Sequence, residues 1–228
     1  MRQNRLRSPR TRAVTEEAKS VRRASLLSAA GRLFVSRDFD GISVGEIARK
    51  AGLAKGTVYL YFGTKEALFL ELVAEQLEAW VHEAGPALVQ LKSGPVAVAA
   101  AVASTLSQRP ILVRLLALLH SVLERNTEVA PLRDFKKRLL QVTTKSGALF
   151  EQALALAPGT GVRLTLWMHA TIVGLAQMTA ISPTLAEVLA QDNSLAILRL
   201  DFRTELEVAL ATLFAGATGG ASKRRSRS

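Results

Sequence analysis

One short stretch, residues 53–69 (LAKGTVYLYFGTKEALF), combines two lysines, two threonines and three aromatic residues near its centre that could hold a ligand. The chain is only 5% aromatic, yet two tyrosines and a phenylalanine stand here within four residues. Lysine supplies positive charge, while threonine and tyrosine supply hydroxyl donors, and these are the groups with which proteins contact phosphates. The residue types therefore indicate binding to a phosphate-rich partner.

The hydrophobic pattern of residues 54–62 predicts a short helix with an inward and an outward half. Val58 and Phe62 lie four residues apart and face the core. Gly56 and Leu60 then point away from the core, and Gly56 has no side chain to keep the backbone from a partner surface. Because Ala54 stands at the cap position, this helix begins without a side-chain cap.

The residues before this helix complete a helix-turn-helix at about 43–62. Ser43-Val44-Gly45-Glu46 fits a capping box that begins a first short helix, and Gly52 suits the tight turn between the two helices. In this motif the second helix offers its N-terminal residues to base edges in the major groove of DNA. The contacts expected with duplex DNA are Ser43, Lys55, Gly56, Thr57, Tyr59, Tyr61 and Lys65.

The remaining sequence predicts an all-α protein. A helix over 21–35 precedes the motif, and a long helix with its buried stripe at Phe69, Val73, Leu77 and Trp80 follows a break at Gly63-Thr64. No segment shows the sustained period-two alternation of a strand. Further helices are expected at about 96–107, 110–125, 128–156, 162–180 and 196–215, with breaks at Gly85-Pro86 and Ser182-Pro183.

Most of the net positive charge lies near the two ends of the chain. The total is +11, of which residues 1–23 carry +6 and residues 223–228 carry +4. Basic tails of this kind are typical of arms that contact nucleic-acid phosphates. The predicted organisation is a disordered basic arm over 1–19, a three-helix helix-turn-helix head over 20–80, a larger helical effector-binding and dimerisation domain over 81–216, and a disordered basic tail over 217–228.

Several kinds of chemistry find no support in the sequence. The chain has no cysteine, which excludes disulfides and thiolate zinc sites. His82, His120 and His169 are far apart in sequence, so no metal site and no cofactor are expected. GLAKGT (52–57) lacks the residue order of a phosphate loop, and no serine stands in a Gly-x-Ser-x-Gly context. No catalytic residue is therefore expected, and the protein is not expected to be an enzyme.

Two other interpretations compete with DNA binding. A helical enzyme would need an acid–base or metal constellation that the sequence lacks. A helical membrane-surface or interaction protein could use the basic tails and the apolar helices, although no apolar run approaches the ~20 residues that span a bilayer. Because no secretory signal precedes the helices, the cytoplasm is the expected location.

The segment SVGEIARKAGLAKGTVYLYFGTKEALF (43–69) resembles the tetracycline-repressor-like (TetR) family of bacterial transcriptional regulators. The matching residues are Ile47-Ala48, Ala51-Gly52, Lys55-Gly56-Thr57, Tyr59, Tyr61-Phe62 and Lys65-Glu66-Ala67-Leu68. The resemblance is specific over about 21–80. It implies a homodimer that places two heads on a near-palindromic operator, and a second domain whose small-molecule effector alters their spacing. The implied function is that of a repressor of a nearby operon.

The second domain offers one candidate effector wall and one candidate dimer interface. Trp167, Arg163 and Thr171 share a side of helix 162–180, which suits a ligand wall but also plain packing with Ala170 and Gly174. We expect a largely apolar effector to contact His120, Trp167 and Thr171, although His120 could instead cap a buried carbonyl. With the resemblance, an apolar stripe on the last helix favours a dimer built from helices 162–180 and 196–215; its members are Leu195, Leu198, Phe202, Leu206, Ala209 and Leu213.

Overall fold

The computed structural model describes residues 9–91 and 93–225, and every regular element within them is helical. The prediction of an all-α protein is therefore confirmed. The α-helices are α1 (Pro9–Phe34), α2 (Val44–Lys50), α3 (Lys55–Tyr61), α4 (Lys65–Gln90), α5 (Gly94–Ser107), α6 (Pro110–Leu118), α7 (Val129–Leu154), α8 (Thr160–Met178), α9 (Pro183–Gln191) and α10 (Phe202–Arg225). A π-helical turn (Leu119–Leu123) follows α6, and a 3-10 helix (Asn193–Leu198) follows α9.

The chain folds as two compact units, Met1–Leu72 and Val73–Ser228. This division lies earlier than the expected one at residue 80 and falls inside α4. Trp80, assigned to the head by sequence, is buried in the second unit, where its indole Nε1 donates to Thr105 Oγ1 at 3.1 Å.

The first unit is a three-helix arrangement that the start of α4 completes. Helix α2 packs against both α1 and α3. Phe69 of α4 lies at its centre, fully buried, with edge-on contacts to the rings of Phe34 (5.5 Å between centroids) and Phe39 (4.9 Å). Edge-to-face pairs of this kind stabilise beyond the apolar area that they bury. They fix α1 and the α1–α2 loop against α4.

The second unit is a helical bundle in which α10 packs along α5 and α8, and α8 also packs against α6 and α7. Its core is apolar, and α10 contributes Leu206, Leu210 and Phe214 at four-residue spacing. The expected stripe on the last helix is therefore only partly correct. Leu206 is buried, but Leu198 belongs to the 3-10 helix and is exposed, and the side chains of Phe202, Ala209 and Leu213 are half-buried.

Of the two expected helix breaks, the one at Gly85-Pro86 is wrong, whereas the one at Ser182-Pro183 is confirmed because α8 ends at Met178 and α9 begins at Pro183. Helix α4 continues through Pro86 to Gln90, because Ala84 and Leu88 on either side are buried and hold the turn in place. Ser182-Pro183 begins a helix that the sequence analysis missed: Ser182 Oγ accepts the amide of Leu185, and Pro183 takes the first helical position, where no amide is needed.

The expected disordered tails are helical over their described parts. Helix α1 begins at Pro9, and a Lys19–Glu16 ion pair of 2.8 Å, one turn apart, supports it. Helix α10 continues over 217–225 as an extension of its packed part, since adding a residue to an existing helix is easier than starting one. Residues 1–8 and 226–228, also predicted to be disordered, lie outside the described residues.

Within the described ranges no single helix is long and apolar enough to cross a membrane, although two bent pairs, α5 with the segment Pro110–Leu123 and α8 with α9, reach that length and composition together.

Helices α7 and α8 approach each other through two glycines. A Cβ on Gly147 would lie 2.7 Å from the amide nitrogen of Val162, and one on Gly161 would lie 2.6 Å from the carbonyl carbon of Gly147. Gly174, which was expected with Ala170 to allow close helix packing, makes no such contact within the protomer, since a Cβ there meets nothing within 4 Å. The contact of α7 with α8 therefore requires glycine at two positions that sequence reasoning did not select.

We predict that Gly161→Ala lowers the stability of the second unit by about 1–3 kcal/mol or more, because the added methyl meets backbone atoms that cannot rotate away. Gly219→Ala is the matched control, since a Cβ there meets open space on α10 and should be neutral or slightly stabilising. Thermal unfolding followed by circular dichroism measures both. Equal melting temperatures for the two variants would contradict the close approach.

Candidate nucleic-acid interface

The first helix of the motif is held at its start by the predicted capping box. Glu46 N donates to Ser43 Oγ at 3.2 Å, and Ser43 N donates to Glu46 Oε2 at 2.9 Å. Arg37 closes the arrangement with an ion pair to Glu46 Oε1 at 2.6 Å. These bonds hold the pKa of Glu46 at about 2, the hydrogen bond from Arg37 contributing most and those from Ser43 following. The amide and the hydroxyl of Ser43 both donate to Glu46, so they stabilise the start of α2.

The second helix, α3, has the two-sided character that its sequence predicts. Val58 and Phe62 are buried, whereas Leu60 is 83% exposed and Tyr59 49% exposed. A Cβ on Gly56 would meet nothing within 4 Å, so that side of α3 is open. Ala54 is the N-cap and makes no side-chain hydrogen bond, as expected.

The turn between α2 and α3 depends on Gly52, whose φ of +70° is disfavoured for residues with a Cβ. The amide of Leu53 donates to Ala48 O at 2.9 Å and brings the chain back across the end of α2. This closure sets the angle at which α3 leaves α2.

Lys65 occupies a different position from the one expected of a DNA contact. Its ammonium donates to the carbonyl oxygens of Phe39 (2.9 Å) and Ile42 (3.0 Å) and lies 3.9 Å from the centroid of the Phe39 ring. Two of its three N–H donors are therefore used to hold the α1–α2 loop against the start of α4. The Lys65 ammonium therefore stabilises the fold of the head, and its third N–H donor remains for a phosphate.

The remaining predicted contacts all belong to α3 and differ in exposure. Lys55 and Gly56 are exposed at the start of α3, Tyr59 is half-exposed, and Thr57 and Tyr61 are half-buried at the flanks. Sequence reasoning did not select Arg49 and Lys50, which are exposed in the last turn of α2 next to the turn. A basic pair immediately before a helix-turn-helix turn was the signal that could have found them.

The structure does not bring the three expected effector contacts together. A cavity of about 710 Å³ is lined by Arg163 and Trp167 near the start of α8 and by Thr212 and Leu213 of α10, but neither His120 nor Thr171 is part of its lining. The hydroxyl of Thr171 donates to the carbonyl of Trp167 in its own helix at 3.0 Å. Of the predicted set of His120, Trp167 and Thr171, only Trp167 lines this cavity.

His120 instead meets His169 across the bundle. Their Nε2 atoms are 2.9 Å apart, and Glu124 lies 3.4 Å from the other ring nitrogen of His120 while pairing with Lys136 at 2.7 Å. Burial, followed by the charge of His120, lowers the pKa of His169 to about 4. His120 lies on the π-helical turn and His169 on α8, so their 49-residue separation hid the pair from sequence reasoning.

Two family models match the chain, one in each compact unit. The model described as bacterial regulatory proteins, tetR family, matches residues 26–72, and the tetracyclin repressor-like C-terminal domain matches residues 74–221. The chain belongs to the TetR family. It is a helix-turn-helix regulatory protein, and its second unit carries the family's C-terminal domain.

Individual relatives of this TetR-family regulator match over shorter lengths of the chain. The transcriptional regulator EthR of Mycolicibacterium smegmatis is 39% identical over 67 residues, covering 29% of the chain and 31% of EthR. EthR of Mycobacterium tuberculosis is 34% identical over 87 residues, covering 38% of each protein. The chain thus matches about a third of the length of these curated relatives.

Solved structures extend the likeness in fold to nearly the whole chain. A TetR regulator from Rhodococcus sp. RHA1 is 18% identical with a TM-score of 0.54, covering 87% of this chain and 95% of that one. The FadR fatty acid degradation regulator of Bacillus halodurans is 16% identical with the same TM-score, covering 86% and 95%. At these identities the likeness establishes the fold.

We predict that truncating an inward side chain of α3 lowers the stability of the head, whereas truncating an outward one does not. Phe62→Ala should destabilise the head by about 3–5 kcal/mol, because it empties a buried site, whereas Tyr59→Phe removes an exposed hydroxyl and should leave the melting temperature unchanged. Thermal unfolding by circular dichroism compares them directly. Equal losses in the two variants would refute the assignment of faces.

We also predict that Glu46 contributes to the stability of the head and that acid removes this contribution. Because its folded pKa of about 2 lies below the ordinary value of 4.5, its stabilising effect is complete above pH 4.5 and is lost as the pH falls towards 2. The difference in melting temperature between wild type and Glu46→Gln should therefore shrink over this range. A difference that stays constant from pH 5 to pH 2 would show that the ionised carboxylate is not what caps α2.

Proposed function

We propose that this TetR-family regulator is a cytoplasmic repressor whose homodimer binds a near-palindromic operator and is released by a small, largely apolar effector. The observation that carries the proposal is the division of α3, in which buried Val58 and Phe62 fix a helix whose opposite side is open at Gly56 and exposed at Lys55 and Tyr59. An outward side without an internal task suits a duplex, whose grooves admit a helix.

Base contacts are assigned to the start of α3. With Gly56 open, the backbone can approach the groove closely, and Thr57 can donate to a base or phosphate while its methyl touches thymine. Leu60, the most exposed residue of α3, is an apolar side chain that would suit a thymine methyl. These contacts would carry sequence preference.

Phosphate contacts are assigned to the exposed cations and hydroxyls around α3. Lys55, Arg49 and Lys50 supply charge, and the hydroxyls of Tyr59 and Tyr61 supply hydrogen bonds. Lys65 would add its one remaining donor. Since Ser43 is occupied by Glu46, the phosphate at that end would meet the first amides of α2 rather than the Ser43 side chain.

The dimer is assigned to the faces of α8 and α10 that the second unit leaves uncovered. Leu166, Trp167 and Met178 of α8 and Val208 of α10 are exposed apolar side chains. Gly174 lies on the same helix with open space around it, which leaves room for a partner helix to approach closely. Two copies of this face would form a four-helix bundle.

The effector is assigned to the cavity lined by Trp167. Its walls are mainly apolar, with Arg163 and two threonines as polar groups, so a flat apolar molecule with one acidic group would match it. His120 and Thr171 drop out of the proposed set because they lie elsewhere. Trp167 borders both the cavity and the proposed dimer face, so a ligand that repacks Trp167 would favour one arrangement of the two copies over another.

We predict salt-dependent binding to an operator selected from random duplexes, measured by fluorescence anisotropy. Lys55→Ala should weaken binding to all sequences and reduce the slope of log affinity against log salt by about 1 per head, because one phosphate contact is lost. Lys137→Ala, an exposed lysine on α7, is the matched control and should leave the slope unchanged. Equal slopes for the two variants would show that Lys55 does not contact a phosphate of the operator.

We predict that Trp167→Ala still binds operator but responds weakly to effector. Compounds that raise the melting temperature of wild type would be tested for release of labelled operator by wild type, Trp167→Ala and Leu140→Ala. The last variant truncates an exposed side chain of α7 outside both the cavity and the proposed dimer face, and it should still be released. A liganded structure in which the molecule touches neither Trp167 nor Arg163 would refute the assignment and leave the repressor proposal intact.

A further inference from the structure

The segment that joins α8 to α10, residues 181–198, is here called the connecting arm. It contains α9 and the 3-10 helix, and nearly all of its apolar side chains point away from the rest of the protomer. Only Leu189 is buried and Leu195 half-buried. The exposed large residues are Ile181, Leu185, Val188, Ile197 (83%) and Leu198 (55%).

Few contacts hold the connecting arm to its own protomer. Leu189 is its one buried anchor, and the Arg199 guanidinium donates to the Leu189 carbonyl. Local caps from Ser182 and Asp192 begin the two helical pieces. A helix of nine residues is shorter than the ~12–15 that an isolated helix needs in water, so caps and one anchor leave the segment short of stabilising contacts.

The charge of the connecting arm excludes two classes of partner. Glu187 and Asp192 are its only ionisable side chains, so it carries two negative charges and no positive one. Nucleic acid and anionic lipid surfaces both select basic segments. An acidic, apolar segment of this kind suits a protein surface.

The proposed dimer face lies on the two helices that the connecting arm joins. Met178 at the end of α8 and Val208 on α10 flank the connecting arm in sequence and are exposed, as are Leu166 and Trp167 further along α8. Among the described residues, nine of the sixteen large apolar side chains that are exposed fall within 166–208. A two-fold interface uses one such patch twice, so a single continuous surface would bury both arms together.

We propose that the connecting arm packs against a second copy of this chain and is part of the dimer interface. This inference rests on the proposed homodimer and adds a segment to it. The apolar side chains of 181–198 are covered by the partner, and the two short helical pieces gain from the partner the contacts that their own protomer does not supply.

The absence of cysteine from the sequence allows a direct test by single-cysteine labelling. Ile197→Cys probes the connecting arm, and Leu140→Cys, an exposed apolar site on α7, is the matched control. In the dimer, maleimide should react with Ile197→Cys at least about tenfold more slowly than with Leu140→Cys. Dilution to monomer should bring the rates together. Equal rates in a preparation that sedimentation shows to be dimeric would overturn the inference.

A second pair of variants tests the same surface through the dissociation constant of the dimer. The double variant Ile197→Asp/Leu198→Asp should raise it at least about tenfold in analytical ultracentrifugation, while Leu140→Asp should not. Because all three side chains are exposed in the protomer, circular dichroism should show unchanged helix content. A dimeric wild type with an unchanged constant in the double variant refutes the arm alone. A monomeric wild type at micromolar concentration refutes the proposed dimer and the arm together.

Discussion

Helix α3 is seven residues long and uncapped by any side chain, and a helix of that kind does not persist in water without contacts from outside. The burial of Val58 and Phe62 is therefore the constraint on which the interface depends. Arg23 stacks over the Phe62 ring at 5.3 Å and pairs with Glu71 at 2.6 Å, so α1 and α4 both hold the inner side of α3. The outward side chains have defined positions only because these inward ones are fixed.

The cations of the head fall into two groups with different tasks. Arg37, Arg23 and Lys65 are bound to carboxylates, carbonyls or rings inside the fold, where each bond joins one element to the next. Arg49, Lys50 and Lys55 are exposed beside the turn, where their charge is available to a partner. Positive charge in sequence does not distinguish the groups, because the distinction is made by distance to a carbonyl or carboxylate elsewhere in the chain.

Local chemistry made the head predictable from sequence. A capping box, a glycine turn and two apolar residues four apart each act within a few residues, and the structure has all three. The second domain was less predictable because its decisive contacts are distant in sequence. The His120–His169 pair and the Gly147–Gly161 approach each join separate helices, and Pro86 lies inside a helix between buried neighbours. The faces of α8 could be assigned only after α10 was placed, which is why Trp167 was grouped with residues that lie elsewhere.

The π-helical turn at Leu119–Leu123 also sets the rotational phase of the residues that come after it. Such a turn holds one residue more than the α-helical turn it replaces, so it is equivalent to a single-residue insertion in a regular helix. Each residue of an α-helix advances about 100° around the axis, and removing one would turn the next residues by that amount relative to α6. A different side chain would then stand where Glu124 meets Lys136. A relative that lacks one residue at this place would therefore share the fold without the contact between Glu124 and Lys136.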